Sequence, residues 1–144
     1  MTLEISQAMV DAIVAQSRDE YPNECCGVIL GPAGSGKAVR LKPMFNSAMS
    51  PTFYEFDSKD LLALYREVDE NDEEIVVIYH SHTETEAYPS RTDIAIAGEP
   101  GAHYVLVSSR EEIAPAIEFR SFRLVDGVVT EEDVSISASP FFTR

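Results

Sequence analysis

Residues 75–93, IVVIYHSHTETEAYPSRTD, decide how this chain folds. The first five form a continuous apolar run rich in β-branched side chains, the pattern of a central strand covered on both faces. Where the run ends come His80 and His82. Residues i and i+2 of a strand project to the same face, so the two imidazoles can converge on one point. Residues 83–89 form a polar loop ending in Pro89, and Ser90 starts a short helix through about Ala97. Asp93 then falls on the first turn of that helix, and the loop is long enough to bring it back to the histidines. Taken alone, Ser90 and Asp93 read as a helix cap of the capping-box kind. Two of the chain's three histidines nevertheless sit in one triplet after its most buried strand, where sites tend to form.

Outward from this stretch, residues 6–20 carry an amphipathic helix capped by Ser6, with Met9, Val10, Ile13 and Val14 on one face. Residues 26–30, CGVIL, are a strand, 31–36, GPAGSG, a turn, and 38–42 a second strand pairing with the first as a hairpin. An irregular piece precedes a strand at 53–56, FYEF. A second helix is capped by Asp57 or Ser58, with Leu61, Leu64, Tyr65 and Val68 toward the core. Residues 103–108 are a strand, and 116–125 with 128–136 a hairpin turning at Asp126-Gly127. Strands outnumber helices and the kinds are mixed. The fold class is therefore α+β, or an α/β sandwich: a mixed, mainly antiparallel sheet with helices on its faces.

Two histidines and one aspartate make three protein ligands and leave a fourth tetrahedral position for water, the composition of a catalytic rather than a structural zinc site. The same three residues also compose the 2-His-1-carboxylate triad of non-heme iron oxygenases. Sequence alone leaves both open.

The stretch resembles the JAMM, or MPN-plus, metalloprotease family. The family pattern is an upstream Glu followed by H-[ST]-H-P-x6-S-x2-D. Here His80-Ser81-His82, Ser90 and Asp93 fit it, with Thr83 where the family usually has Pro. Residues 24–31, ECCGVILG, resemble the family's E-x-C-G-V-x-x-G strand. SPTFYEF at 50–56, YHSHTETEAYPSRTD at 79–93 and AHYVLVSSR at 102–110 are similar to the bacterial Mec-type branch. The resemblance implies a JAMM/MPN, cytidine-deaminase-like fold and one Zn2+ per chain held by His80, His82 and Asp93. It also implies Glu24 as general base and then acid, and Ser90 as hydrogen-bond donor to the oxyanion. From the residues alone Glu24 reads as a solvated side chain past the first helix. The implied activity is hydrolysis of the amide or isopeptide bond after the C-terminal Gly-Gly of a small ubiquitin-like or sulfur-carrier protein. Mec-type relatives release cysteine from such a carrier during cysteine synthesis. A non-catalytic MPN-type binding module is the third reading, and the presence of all the ligands argues against it.

The 144 residues fit one domain, 1–144, with 137–144 as a flexible tail. The net charge of −14, from 25 acidic and 11 basic residues, disfavours nucleic acid and acidic membrane surfaces as partners. No apolar run reaches the roughly 18 residues of a membrane span, and MTLEISQAMV lacks the features of a secretory signal. The adjacent Cys25 and Cys26 make a poor disulfide and point to a reducing compartment, hence the cytoplasm. They read as small core residues rather than as a thiol nucleophile. His103 reads as a packed strand residue, Glu131-Glu132-Asp133 as a solvated turn, and Gly34-Ser35-Gly36-Lys37 lacks phosphate-loop spacing. Asn46 lies in the irregular segment near the site, its role open.

Overall fold

Side chains alternate across a strand, so a strand apolar on both faces needs a layer on each side. The computed structural model, which describes residues 1–138, supplies both layers. In chain order the elements are β1 (Thr2–Ser6), α1 (Gln7–Glu20), β2 (Cys26–Pro32), β3 (Arg40–Met44), α2 (Ser58–Glu70) and β4 (Glu73–His82). Then follow α3 (Arg91–Ile96), β5 (His103–Ser108), a 3-10 turn at Glu111–Ile113, β6 (Glu118–Val125) and β7 (Val128–Ser137). The strands form one seven-stranded sheet in the order β1-β7-β6-β5-β4-β2-β3. The β1/β7 and β4/β5 pairs are parallel and the other four antiparallel, so the sheet is mixed and mainly antiparallel, as expected.

Two apolar clusters sandwich the sheet. On one face Met9, Val10 and Ile13 of α1 pack with Leu3, Ile5, Cys25, Ile29, Val77, Tyr79, Val105 and Val107. On the other, Leu64 of α2 packs with Cys26, Val28, Leu30, Ile78, Leu106 and Phe122. Fully burying one such aliphatic side chain contributes about 1.5–3 kcal/mol. The β2/β4 register shifts between Ile29 and Leu30, which pair with Val77 and Ile75. Val76 is the extra residue of this bulge, and both Val76 and Val77 join the α1-side cluster.

Several expectations are corrected. β1 was not read from the sequence; it lies at the sheet edge, parallel to β7. The second hairpin strand runs over Arg40–Met44 rather than 38–42. FYEF is not a strand: among the described residues it makes one isolated bridge, Asn46 to Phe56. Asn46, Tyr54 and the Glu24 main chain need its irregular path, described below. Tyr65 faces outward and donates its hydroxyl to Glu99, leaving Leu64 as the buried residue of α2. The acidic run 131–133 lies within β7, where the strand period turns Glu132 inward. Its carboxylate accepts from His103 Nδ1 and Ser121 Oγ, each at 2.6 Å. Ser137 ends β7, and the rest of the expected tail, 139–144, lies outside the described residues. No helix of the described residues is long and apolar enough to cross a membrane.

Gly27 faces Tyr79 across the β2/β4 pair. A Cβ there would lie 2.2 Å from the Tyr79 hydroxyl, which is held by Gln16 at 2.5 Å. Gly27→Ala is therefore expected to destabilise by about 1–3 kcal/mol, the usual range for overpacking. Gly101→Ala, where a Cβ meets open space, is expected to be near neutral. Urea-unfolding midpoints of the two variants check the contrast.

Candidate active site

β4 continues past its apolar run through His82, so both histidines lie on the strand itself. Strand alternation places His80 and His82 with Ile78 on the α2 side of the sheet. Tyr54 stacks on the His80 ring at 4.4 Å between centroids. Asp93, buried, is the third residue of α3. Ser90 caps that helix in a capping box: Asp93 N–H donates to Ser90 Oγ at 3.1 Å, and Ser90 N–H donates to Asp93 Oδ2 at 2.8 Å. The same Oδ2 lies 3.1 Å from His82 Nε2 and 3.2 Å from His80 Nε2. One ligand atom from each of His80, His82 and Asp93 falls within 4.8 Å of the others. The His82 Nδ1 is 2.8 Å from the Glu86 carbonyl. With Nδ1–H donating there, the Nε2 lone pair is left for the cluster, as ligating histidines are commonly oriented.

Glu24 lies before β2, outside any element, yet is only 3% exposed. Its neighbourhood is fixed by the residue between the two histidines. Ser81 N–H donates to the Cys25 carbonyl at 3.0 Å, and Ser81 Oγ accepts from Cys25 N–H at 2.8 Å. The hydroxyl thus extends the β2/β4 ladder by one more bond. Thr83, at the position where the resemblance leads one to expect Pro, donates its hydroxyl to the Pro51 carbonyl at 3.0 Å. That bond restrains the loop where a proline ring would have restrained it covalently.

Burial dominates the electrostatics. It pushes the Glu24 carboxyl up to about 8, with His82 lowering and Asp93 raising it further. Burial also pulls His80 below the usual imidazole range. For His82 the burial penalty is outweighed by its bond to Asp93, the Glu86 carbonyl and nearby carboxylates, and the net shift is upward. Asp93 is held well below the ordinary carboxylate range: burial opposes this, but the two histidines and the Ser90 amide overcome it.

Among the described residues, three buried side-chain atoms lack a hydrogen-bond partner, and two are here: Glu24 Oε1 and His80 Nε2. Buried polar atoms are normally satisfied. His80 Nε2 is itself one of the three convergent nitrogen and oxygen ligand atoms, and with Glu24 Oε1 also unpartnered the site fits a bound divalent metal ion and a water. His80, His82 and Asp93 form one cluster, Glu24 lies within electrostatic reach of it, and Ser90 caps the helix that carries Asp93. Tyr54, Ser81 and Thr83 were missed as site residues, since their contacts join segments far apart in the chain. Cys25 and Cys26 are both buried, on opposite faces of the sheet. Burial pushes the Cys25 thiol up to about 12 and Cys26 higher still, which disfavours a thiolate nucleophile. His103 is packed and hydrogen-bonded, as expected.

The purified protein is expected to hold about one divalent ion per chain, as three convergent ligands imply. His80→Ala or Asp93→Ala should lose it while far-ultraviolet circular dichroism is retained. Elemental analysis of the three proteins checks this, and full occupancy in His80→Ala would show that the ligands are misassigned.

Comparison with known proteins agrees with this geometry. Residues 6–125 match the family model for prokaryotic homologs of the JAB domain. The chain is 53% identical over 134 residues to the CysO-cysteine peptidase of Mycobacterium tuberculosis H37Rv, covering 93% of this chain and 90% of that protein. It is 30% identical over 103 residues to the desampylase of Haloferax volcanii, covering 68% and 74% of the two chains. The fold is similar to that of a JAB1/MPN domain protein from Archaeoglobus fulgidus, with a TM-score of 0.55 at 17% identity over 92% of this chain and 97% of that one. A family match across most of the length, together with the H-S-H, Ser90 and Asp93 constellation gathered on one face of the sheet, means that this chain belongs to the JAMM family, in its Mec-type branch.

Proposed function

We propose that this protein is a zinc peptidase that hydrolyses the amide bond after the C-terminal glycine of a small ubiquitin-like sulfur carrier, releasing cysteine. The observation that carries the reading is the buried, unpartnered Glu24 carboxylate oxygen beside the His80, His82 and Asp93 cluster. The buried Glu132 also keeps one oxygen unpartnered, its other oxygen being held by His103 and Ser121; what sets the Glu24 oxygen apart is the cluster beside it. Left free in a site with three metal-ligand side chains, it is available to a water and a substrate.

His80, His82 and Asp93 would hold the zinc. Bound there, zinc would polarise the scissile carbonyl and bring the pKa of a water toward about 7. Glu24 takes the proton from the attacking water and passes it to the departing amine, which otherwise leaves poorly. Burial favours the protonated form of Glu24, and a neighbouring dication would favour the carboxylate that the first transfer needs. Ser90 Oγ already accepts from the Asp93 amide, so its own proton is free to donate to the oxygen that becomes negative. Such donors typically contribute about 10²–10³-fold. The Tyr54 ring covers one face of His80 and limits its rotation. The carrier's C-terminal glycine lacks a Cβ, so its main chain can approach the cluster closely.

The fuller similarity, 53% over most of both chains, is to the CysO-cysteine peptidase, which favours a cysteine leaving group. The desampylase similarity is thinner, 30% over 68% of the chain, and makes removal of a ubiquitin-like modifier from lysine the second reading. Mass spectrometry of a carrier ending in Gly-Gly-Cys against a lysine-linked carrier separates the two. An iron oxygenase would instead require oxygen and a reductant for turnover.

Glu24→Gln is expected to retain zinc and fold, and to bind substrate nearly as tightly. Gln can hydrogen-bond a water but cannot accept or deliver its proton. Turnover should fall by at least about 10²–10⁴-fold, the usual worth of general acid–base catalysis. Zinc content, substrate affinity and single-turnover rate on one preparation decide it; a near-normal rate would reject the mechanism.

A further inference from the structure

The Asn46 carboxamide is 3% exposed and uses its full complement of hydrogen bonds. Nδ2 donates to the carbonyls of Glu24 and Phe53, both at 3.0 Å. Oδ1 accepts from the amides of Ala48 at 3.0 Å and Glu55 at 3.1 Å. The bond from Ala48 closes the turn that follows β3, and those with Phe53 and Glu55 draw the returning chain onto it. The bond to Glu24 crosses to a different part of the molecule.

That crossing is not isolated. Glu24 N–H donates to the Ser50 carbonyl at 2.9 Å. The Glu24 peptide is therefore gripped on both sides by the 46–56 segment, at its carbonyl by Asn46 and at its amide by Ser50. One residue on, Cys25 is fixed to Ser81, between the two histidines. The middle of the segment is tied to the histidine loop through Thr83 and Pro51. From near its end, Tyr54 reaches the His80 ring. Glu24 belongs to no helix or strand, so these main-chain bonds set where its Cα sits. Its carboxylate has Oε1 free of any partner to hold it from the other end.

We infer that Asn46 is a positioning residue for the reaction: its carboxamide clamps the 46–56 segment to the Glu24 carbonyl and so holds the general base in place against the metal ligands. This rests on the reading of Glu24 as base. Asn fits the task because one flat group supplies two donors and one doubly accepting oxygen. Asp can supply the acceptor but not the two donors, and Ala supplies neither. Misplacing a reacting group by about 1 Å costs on the order of 10²-fold in rate. Loss of the clamp should therefore appear in turnover, with affinity and metal content spared.

The test is a double-mutant cycle between Asn46→Asp and Glu24→Gln in the zinc-loaded full chain, using a carrier ending in Gly-Gly-Cys. Asn46→Asp keeps the acceptor for Ala48 and Glu55 and removes the donors to Glu24 and Phe53. Alone it should lower kcat by about 10–10²-fold, with KM and zinc content close to wild type; the thermal midpoint should fall, because the new carboxylate oxygen faces two carbonyls in a buried position. In the Glu24→Gln background it should cost no more than about twofold further, because the group it positions no longer transfers protons. Asn46→Ser carries the same cycle if Asn46→Asp does not fold. Losses that multiply in the double mutant overturn the inference while leaving Glu24 as base. A rise in KM or a loss of zinc with kcat intact also overturns it, as does failure of both variants to fold, which makes Asn46 a structural residue. Near-normal turnover by Glu24→Gln alone instead overturns the reading of Glu24.

Discussion

Everything at this site depends on the register between β2 and β4. Cys26 is opposite His80, and the Ser81 hydroxyl and amide carry the pairing one step further to Cys25. The chain entering β2 thereby delivers Glu24 beside the strand that carries the histidines. A slip of one residue would turn the histidines' partners to the other face, since the side-chain period of a strand is two. The apolar pattern holds the register. Val77 and Tyr79 are committed to the α1 cluster, and Ile78 to the α2 cluster. Slipping would also break the fit between Gly27 and Tyr79, where no Cβ can be accommodated.

The site gathers buried ionisable groups at the end of this core. Burying a charge is costly unless it is paired and hydrogen-bonded. Asp93 meets the requirement in part by accepting from the Ser90 amide, with Nε2 of both His82 and His80 close by. The helix cap contributes as well, because a carboxylate in the first turn of a helix is favoured by the exposed amides there. The capping box inferred from the sequence and the metal ligand implied by the family are the same side chain, and the cap orients the ligand. Glu24 has no such compensation at Oε1, and burial moves its carboxyl toward the protonated form.

Around the cluster lies an irregular segment, 46–56, that the sheet does not hold in a ladder. It is held by side chains: Asn46 at its start, Thr83 across from Pro51, and Tyr54 against His80. Thr83 departs from the family's usual Pro. Its hydroxyl makes a tertiary bond that proline could not, so the loop after His82 is restrained through the same segment that grips Glu24. The acidic strand β7 shows the same economy elsewhere, Glu132 being turned inward onto His103 and Ser121.

Local pattern was enough to read the amphipathic helices, the β-branched run of β4, the exact span of strand 103–108 and the Asp126-Gly127 hairpin, because each depends on side-chain period and turn chemistry within a short window. The H-S-H triplet and its spacing to Ser90 and Asp93 were legible for the same reason, and the family resemblance they carry named Glu24, which periodicity alone left as a surface residue. The tertiary structure decided what no window contains. It made an edge strand of Thr2–Ser6 by pairing it with Asp133–Ser137. It buried Glu132 by giving it His103 and Ser121, and it dissolved the expected FYEF strand because Asn46 and Tyr54 bind that segment to Glu24 and His80. These outcomes are set by contacts between residues tens of positions apart. Such contacts exist only once the register of the sheet has fixed which side chains share a face.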